Sequence, residues 1–283
     1  MATNNAVDTS LSGQTGTGSF VGSASPTFTG TVTHPTPFTL GATSVTSTGA
    51  QLNLLNGLST FPPITKINSQ EITATGAYTY TPTTGTQYAI FKLQAGGGGS
   101  GGVAGTASQS GGSGGGGSGG YLEVLVVGTT NLAAVSGSVG IAGTAGSSGT
   151  NNGGNGGNTT MTVNSGTTWT AGGGALSTGG TSSATTFVST APGAGGTNTT
   201  GTNGTLMLNL PGQIGGYGCT FGANTNAFVV GTGGNSQLGR GGNATVAGAG
   251  YGGGGSGVIA VASNVAGVAG LQGVVQITEF ISA

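Results

Sequence analysis

Apolar and polar positions alternate with a period of two in several short stretches of this chain. AYTYT (77–81) sets Tyr78 and Tyr80 against threonines, and PTTGTQ then turns the chain into YAIFKLQA (88–95), which is apolar on both faces. YLEVLVV (121–127) places Leu122, Val124 and Val126 on one face, with Leu125 and Val127 on the other. LMLNL (206–210) alternates again, and VVQITEFI (274–281) makes a final strand. The helical period is missing, apart from a turn at QLNLLNG (51–57). The pattern predicts an all-β chain in the order strand, turn, strand, glycine loop, strand, long glycine region, strand.

Glycine is unevenly spread: only ten of the 67 glycines precede residue 96. GGSGGGGSGG (111–120) reads like a flexible spacer. The glycine region is too long for that role, however, and bulky residues punctuate it: Trp169, Phe187, Tyr217, Phe221, Phe228 and Tyr251. It also carries a repeat of three, GGNGGN (153–158), which is the repeat of a polyglycine II helix. In such a helix Gly-Gly-X leaves two faces bare, so neighbouring backbones can approach and exchange hydrogen bonds. Collagen is excluded, because strict G-X-Y periodicity and abundant proline are both absent. Fixing one residue costs roughly 1–2 kcal/mol, and a net hydrogen bond returns about 1 kcal/mol. Order therefore demands that nearly every backbone group be paired. The expected fold is a β-sandwich-like, glycine-rich domain with long glycine loops that can include polyglycine II segments, packed against sister chains. Its most mobile part is expected at 96–120.

Residues 1–70 are rich in Ser, Thr and Gly, and six of the eight prolines precede residue 83. That composition suits an extended stalk, which divides the chain into a stalk and attachment region, 1–70, and a glycine-rich β domain, 71–283. The charged residues are Asp8, Lys66, Glu71, Lys92, Glu123, Arg240 and Glu279, with none between 124 and 239. So little surface charge suits a chain whose surface meets other copies of itself. A net charge of −1 provides no field for nucleic acid or an anionic membrane, and no apolar run reaches the ~20 residues of a spanning helix. MATNNAVDTS lacks the pattern of a secretory signal. The expectation is a protein made in a cytoplasm and delivered by assembly, with neither nucleic-acid binding nor membrane insertion.

The residues of enzyme chemistry are scarce. The one histidine, His34, lies in the stalk, and a Ser/His/Asp triad would need Asp8 beside it. Glu71, Glu123 and Glu279 sit beside or within strands and are expected to face solvent or an interface. One His and one Cys cannot build a zinc site within one chain, and the single Cys219 excludes an internal disulfide. GGGGSG lacks the strand–loop–helix setting of a dinucleotide loop. No catalysis, cofactor or metal is expected. Trp169, Tyr217, Phe221 and Tyr251 either form a receptor platform or anchor glycine loops onto the sheet.

NNAVDTSLSGQTGTGSFVGSASPTFTGTV (4–32) resembles the opening of bacteriophage tail-fibre and spike chains. TSTGAQLNLLNGLST (46–60) is similar to the L-N-x-L-D-G-V-T element of trimeric fibres, with Asn56 in place of Asp and Leu58 in place of Val. GAYTYTPTTGTQYAIFKLQAGGGGSGG (76–102) and GVVQITEF (273–280) resemble the first and last strands of the glycine-rich domain of phage tail proteins. The resemblance implies a homotrimeric virion component, with Leu52, Leu55 and Leu58 packed around a three-fold axis. It implies an N-terminal region bound to other virion or tail proteins, and glycine-rich loops that contact a host-surface glycan or protein. The alternatives are a purely structural virion protein, such as a collar, head fibre or decoration, and a glycine-rich surface or ice-binding protein.

Overall fold

In the computed structural model, the described residues are 38–40, 43–45, 64–221, 228–244 and 246–282. The stretch 51–57, with Leu52 and Leu55, lies outside them, as does Leu58. The chain divides into two units, 1–61 and 62–283. In the first, β1 (Phe38–Leu40) pairs antiparallel with β2 (Thr43–Val45). The second contains β3 (Ile64–Ile72), β4 (Gly76–Thr79), β5 (Thr86–Gln94), β6 (Ser110–Gly112), β7 (Tyr121–Val127), a short helix α1 (Thr129–Leu132), β8 (Val135–Val139), β9 (Thr159–Val163) and β10 (Trp169–Ala171). It continues with β11 (Phe187–Thr190), β12 (Thr205–Leu210), β13 (Gly218–Phe221), β14 (Phe228–Val229), β15 (Gly239–Arg240), β16 (Ala249–Gly250), β17 (Ile259–Val261) and β18 (Val274–Ser282). The described chain is nearly all β, as the alternation predicts. Because β3 belongs to the second unit, the boundary falls near 61 rather than 70.

Two antiparallel sheets form one end of this unit. The larger has the order β12-β7-β5-β18-β3, the smaller β10-β9-β8-β4. Strand alternation turns Ala89, Phe91, Leu93, Leu122, Val124, Val126 and Ile277 of the larger sheet inward. They meet Tyr78, Val135, Met161, Val163 and Trp169 of the smaller one in a single core. Tyr80 completes it edge-on to Phe91, with ring centroids 5.1 Å apart.

The strands do not end in loops. β5 runs on as 95–104, and 113–120 runs into β7. Likewise β8 continues as 140–146, 151–158 enters β9, β10 continues as 172–180, and 265–273 enters β18. In these continuations the hydrogen-bond partner changes with a period of three. Gly96, Gly99 and Gly102 donate to Gly157, Gly154 and Asn151; Gly97, Ser100 and Val103 donate to Leu271, Val268 and Val265; Ala95 and Gly98 donate to Gly120 and Gly117. The carbonyls of the same segment accept from Gly174, Ser177 and Gly180, from Gly143 and Gly146, and from Gly255, all at 2.8–3.1 Å. A three-residue turn aims successive amides in three directions, so 95–104 bonds to six neighbours, as in polyglycine II. Segment 113–120 is surrounded in the same way, by 95–104, 172–175, 191–197, 211–216, 231–235 and 252–258. At about 3.1 Å per residue, segment 95–104 spans roughly 28 Å.

The 96–120 run is therefore the reverse of what composition suggests. Its segments 95–103 and 110–121 are buried at the centre of the bundle, and only the connecting turn is exposed. Packing requires the glycines here: a Cβ on Gly98 would lie 2.0 Å from the Ala175 carbonyl oxygen, and one on Gly117 1.9 Å from that of Ala194. The interspersed serines are rungs. Ser100, Ser113 and Ser118 Oγ accept from the amides of Val268, Val258 and Gln213 at 2.8, 2.9 and 2.7 Å. Ser177 Oγ accepts from Gly101 and donates to the Gly114 carbonyl at 2.6 Å. The linker-like spelling is thus a pattern of bare backbones and hydroxyl acceptors. Among the described residues, Ser256 Oγ is the one buried side-chain oxygen or nitrogen without a partner.

GGNGGN plays a related part on the flank. Asn152, Asn155 and Asn158 each accept through Oδ1 from the antiparallel segment next to them, from Gly179, Leu176 and Gly173 at 3.0, 2.9 and 2.8 Å. Where sheet becomes bundle, the buried Gln94 closes the join. Its Nε2 donates to the carbonyls of Ala95, Gly119 and Gly120, and Thr159 Oγ1 donates to its own carbonyl.

Candidate functional site

The bundle holds its second end roughly 28 Å from the two-sheet core. There β6 pairs antiparallel with β17, and β11, β13 and β14 form a small sheet in the order β11-β13-β14. Two threonines fasten that sheet to the bundle. Thr190 Oγ1 donates to the Gly112 carbonyl at 3.0 Å, and Thr220 Oγ1 to the Ser110 carbonyl at 2.9 Å. Both threonines are buried, so the residues alternating with them face away.

That outer face carries Phe187 and Val229, with Cys219 between Ser189 and Val229 in register. Tyr217 stands just ahead of β13. Phe187 is 58% exposed, Tyr217 59% and Val229 48%, although all three are apolar or aromatic. The free Cys219 is half-buried among them. Two turns at the same end hold non-glycine residues in the left-handed region, Ser108 (φ 65°) and Ala262 (φ 66°). Such conformations cost of order 1–3 kcal/mol and cluster at ligand clamps and switches. None of the chain's charged residues occurs in 104–112, 181–190, 217–221 or 259–264. Recognition at this end would rest on aromatic and aliphatic contact with hydroxyl and amide hydrogen bonds.

The four aromatics singled out in the sequence do not come together. Tyr217 is at the far end, as a receptor contact would require. Phe221 belongs to β13, but its side chain lies outside the described set. Trp169 corrects the expectation of a surface platform. It is 2% exposed in the sandwich core, and its indole Nε1 donates to the Thr202 carbonyl at 3.1 Å. Tyr251 is half-buried beside Gly252, which packs on Gln94 at the sandwich end of the bundle. In the sequence Phe187 stands out only as a bulky residue in the glycine region. The signal available is strand parity in FVST, which sets Phe187 and Ser189 on the face opposite Val188 and Thr190.

A second polar centre lies inside the sandwich end. Glu279 is fully buried, which corrects the expectation of a solvent-facing or interfacial carboxylate. It accepts from Tyr80 OH at 2.6 Å, Thr83 Oγ1 at 2.6 Å, the Thr83 amide at 3.0 Å, Asn68 Nδ2 at 2.7 Å and Gln70 Nε2 at 2.9 Å. Burial pushes its carboxyl upward, but the donors from Thr83, Tyr80 and Asn68 outweigh it and hold the group at about 2. Burial and then the adjoining carboxylate push the Tyr80 phenol far above its usual range. The donors come from β3 and the β4–β5 turn and the carboxylate from β18, so this centre ties strands together. Glu123 accepts from Tyr121 OH at 2.6 Å on the outer face of the same sheet. Among the described residues, no three His, Cys, Asp or Glu side chains gather as a metal site would need.

No family model matches the chain, and no curated protein matches it either.

Proposed function

We propose that the chain is a non-enzymatic component of a phage tail fibre or spike, which attaches a virion to the host surface through the far end of its glycine bundle. The observation that carries this reading is the exposed aromatic face built on Phe187 and Tyr217, at the end of a scaffold whose interior is saturated with hydrogen bonds. A stiff support of this kind lets small, uncharged contacts be presented without a large ordering cost at binding. Three copies in a homotrimer would multiply weak contacts into avidity. Residues 1–61, which carry the fibre-like phrases, would join the protein to other virion or tail components. The ligand class is a host-surface glycan or an apolar protein patch. A virion location follows from the same reading.

Competition tests it. Soluble full-length protein should block adsorption of the phage that carries it, and a Tyr217→Ala, Phe187→Ser double variant should block it at least tenfold less well with unchanged thermal stability. Wild-type protein that binds no cells and blocks nothing would leave the purely structural virion role as the better account.

A further inference from the structure

An antiparallel sheet with one solvated face normally turns polar side chains outward. The larger sheet here does so over only part of its face. Its outward residues form three cross-strand rows, fixed by register. Nearest the start of β3, Ile67, Phe280, Tyr88 and Val127 stand side by side across four strands. The next row is Ser69, Thr278, Ile90 and Leu125, and the third is Glu71, Gln276, Lys92 and Glu123. Ile67 is 62% exposed and Val127 56%, while Tyr88 and Phe280 stack with centroids 4.5 Å apart. Apolar character therefore rises in steps toward the start of β3, at Ile64.

We infer that this outer face is where copies of the chain meet: the row Ile67–Phe280–Tyr88–Val127 and its neighbours Ile90 and Leu125 form the subunit interface of the second unit. The inference rests on the homotrimer reading above and gives it a surface. If 1–61 gathers copies, each chain enters its second unit at the start of β3, the part of the sheet closest in sequence to the gathered segment. The nearest outward row is then the one that must be covered, and it is the apolar one. The charged row lies farthest from the start of β3 and carries both signs, with Lys92 flanked by Glu123 in register and Glu71 one strand beyond Gln276. Opposite signs on the rim suit a self-complementary contact and fix its register. A contiguous apolar face of this kind is a mark of association in soluble proteins.

The test uses the full chain, with a photoreactive benzoylphenylalanine replacing Tyr88 and, as a control, replacing Ile141, an exposed residue on the bundle flank. Nitrogen-15-labelled and unlabelled protein are mixed under conditions that exchange subunits, then irradiated. Crosslinked peptides are sorted by isotope, and the mass of the unmodified protein is measured by light scattering. The expected result is a mass near three times 26.4 kDa, with mixed-isotope crosslinks from position 88 that are lost at position 141. A threefold mass with crosslinks from position 88 only inside one chain, to residues 1–61, overturns the inference and makes that segment the cover. A threefold mass with no crosslink at position 88 also overturns it, while leaving the trimer standing. A monomer removes both.

Discussion

Gly98 and Gly117 face each other at the middle of the bundle, the amide of one donating to the carbonyl of the other at 2.9 Å, and neither has room for a methyl group. The contact joins the two most enclosed segments, and each glycine has further neighbours on every side. Gly98 also accepts from Gly255 at 2.9 Å, and Gly117 donates to Ala175 at 2.9 Å.

Gly98→Ala or Gly117→Ala should therefore cost at least about 3 kcal/mol, because the displaced partner is backbone and several ladders must part together. Ala266→Gly, on an exposed flank, should cost about 1 kcal/mol or less. Thermal melts followed through the single buried Trp169 would rank the variants, and equal losses would contradict the packing argument.

The asparagine rungs separate acceptor from bulk. Asn155→Ala should destabilise by about 1 kcal/mol, since the Leu176 amide loses its partner on a half-exposed flank. Asn155→Asp retains the acceptor oxygen and should recover most of that loss. Hydrogen exchange at Leu176 reads the rung directly, with fast exchange in the alanine variant and slow exchange in the aspartate.

Glu279 predicts a particular acid response. Its folded value is depressed to about 2, so the unfolded chain binds the proton first as pH falls. The stabilisation is complete above the ordinary carboxylate range, declines below about pH 5 and is lost near pH 2, a total of about 3 kcal/mol for a shift of this size. Glu279→Gln turns one acceptor oxygen into a donor, which then faces either Asn68 and Thr83 Oγ1 or Gln70, Tyr80 and the Thr83 amide. It should be less stable at pH 7 and lack the slope between pH 5 and pH 2. An unchanged slope in that variant would assign the acid response to other groups.

At the far end, Cys219 offers a handle. A bulky maleimide on this single thiol should reduce cell attachment at least tenfold without moving the melting temperature. Attachment by the unmodified protein should also change little between low and high salt, because no charge lies at that end. Attachment that survives the label, or collapses in salt, would place the contact elsewhere.

The strands were legible wherever alternation was undiluted: β4, β5, β7, β12 and β18 stand close to where the pattern puts them. β8 (VSGSV), β9 (TTMTV) and β10 (WTA) were not, because Ser, Thr and Gly mask their inward Val135, Met161 and Trp169. β3 escaped because its edge position leaves most of its residues exposed. The three-residue repeat of GGNGGN pointed to threefold helices, yet composition alone placed mobility at 96–120. Burial there depends on neighbours supplied from residues 140–273, which no local window contains. Glu279 could have been found, since it shares strand parity with Val275, Ile277 and Ile281. Of the candidate site, Tyr217 was legible as an isolated aromatic, whereas Trp169 looked identical in sequence and proved to be core.

The central claim is that the glycine runs are the ordered interior of the protein, and amide hydrogen exchange on the native full-length chain tests it most directly. The account predicts that peptides covering 96–103 and 111–120 exchange only through global unfolding, as slowly as β5 and β7. Exchange of those peptides within seconds at neutral pH, while β5 and β7 remain protected, would mean that the glycines are a tether after all, and the bundle would be wrong.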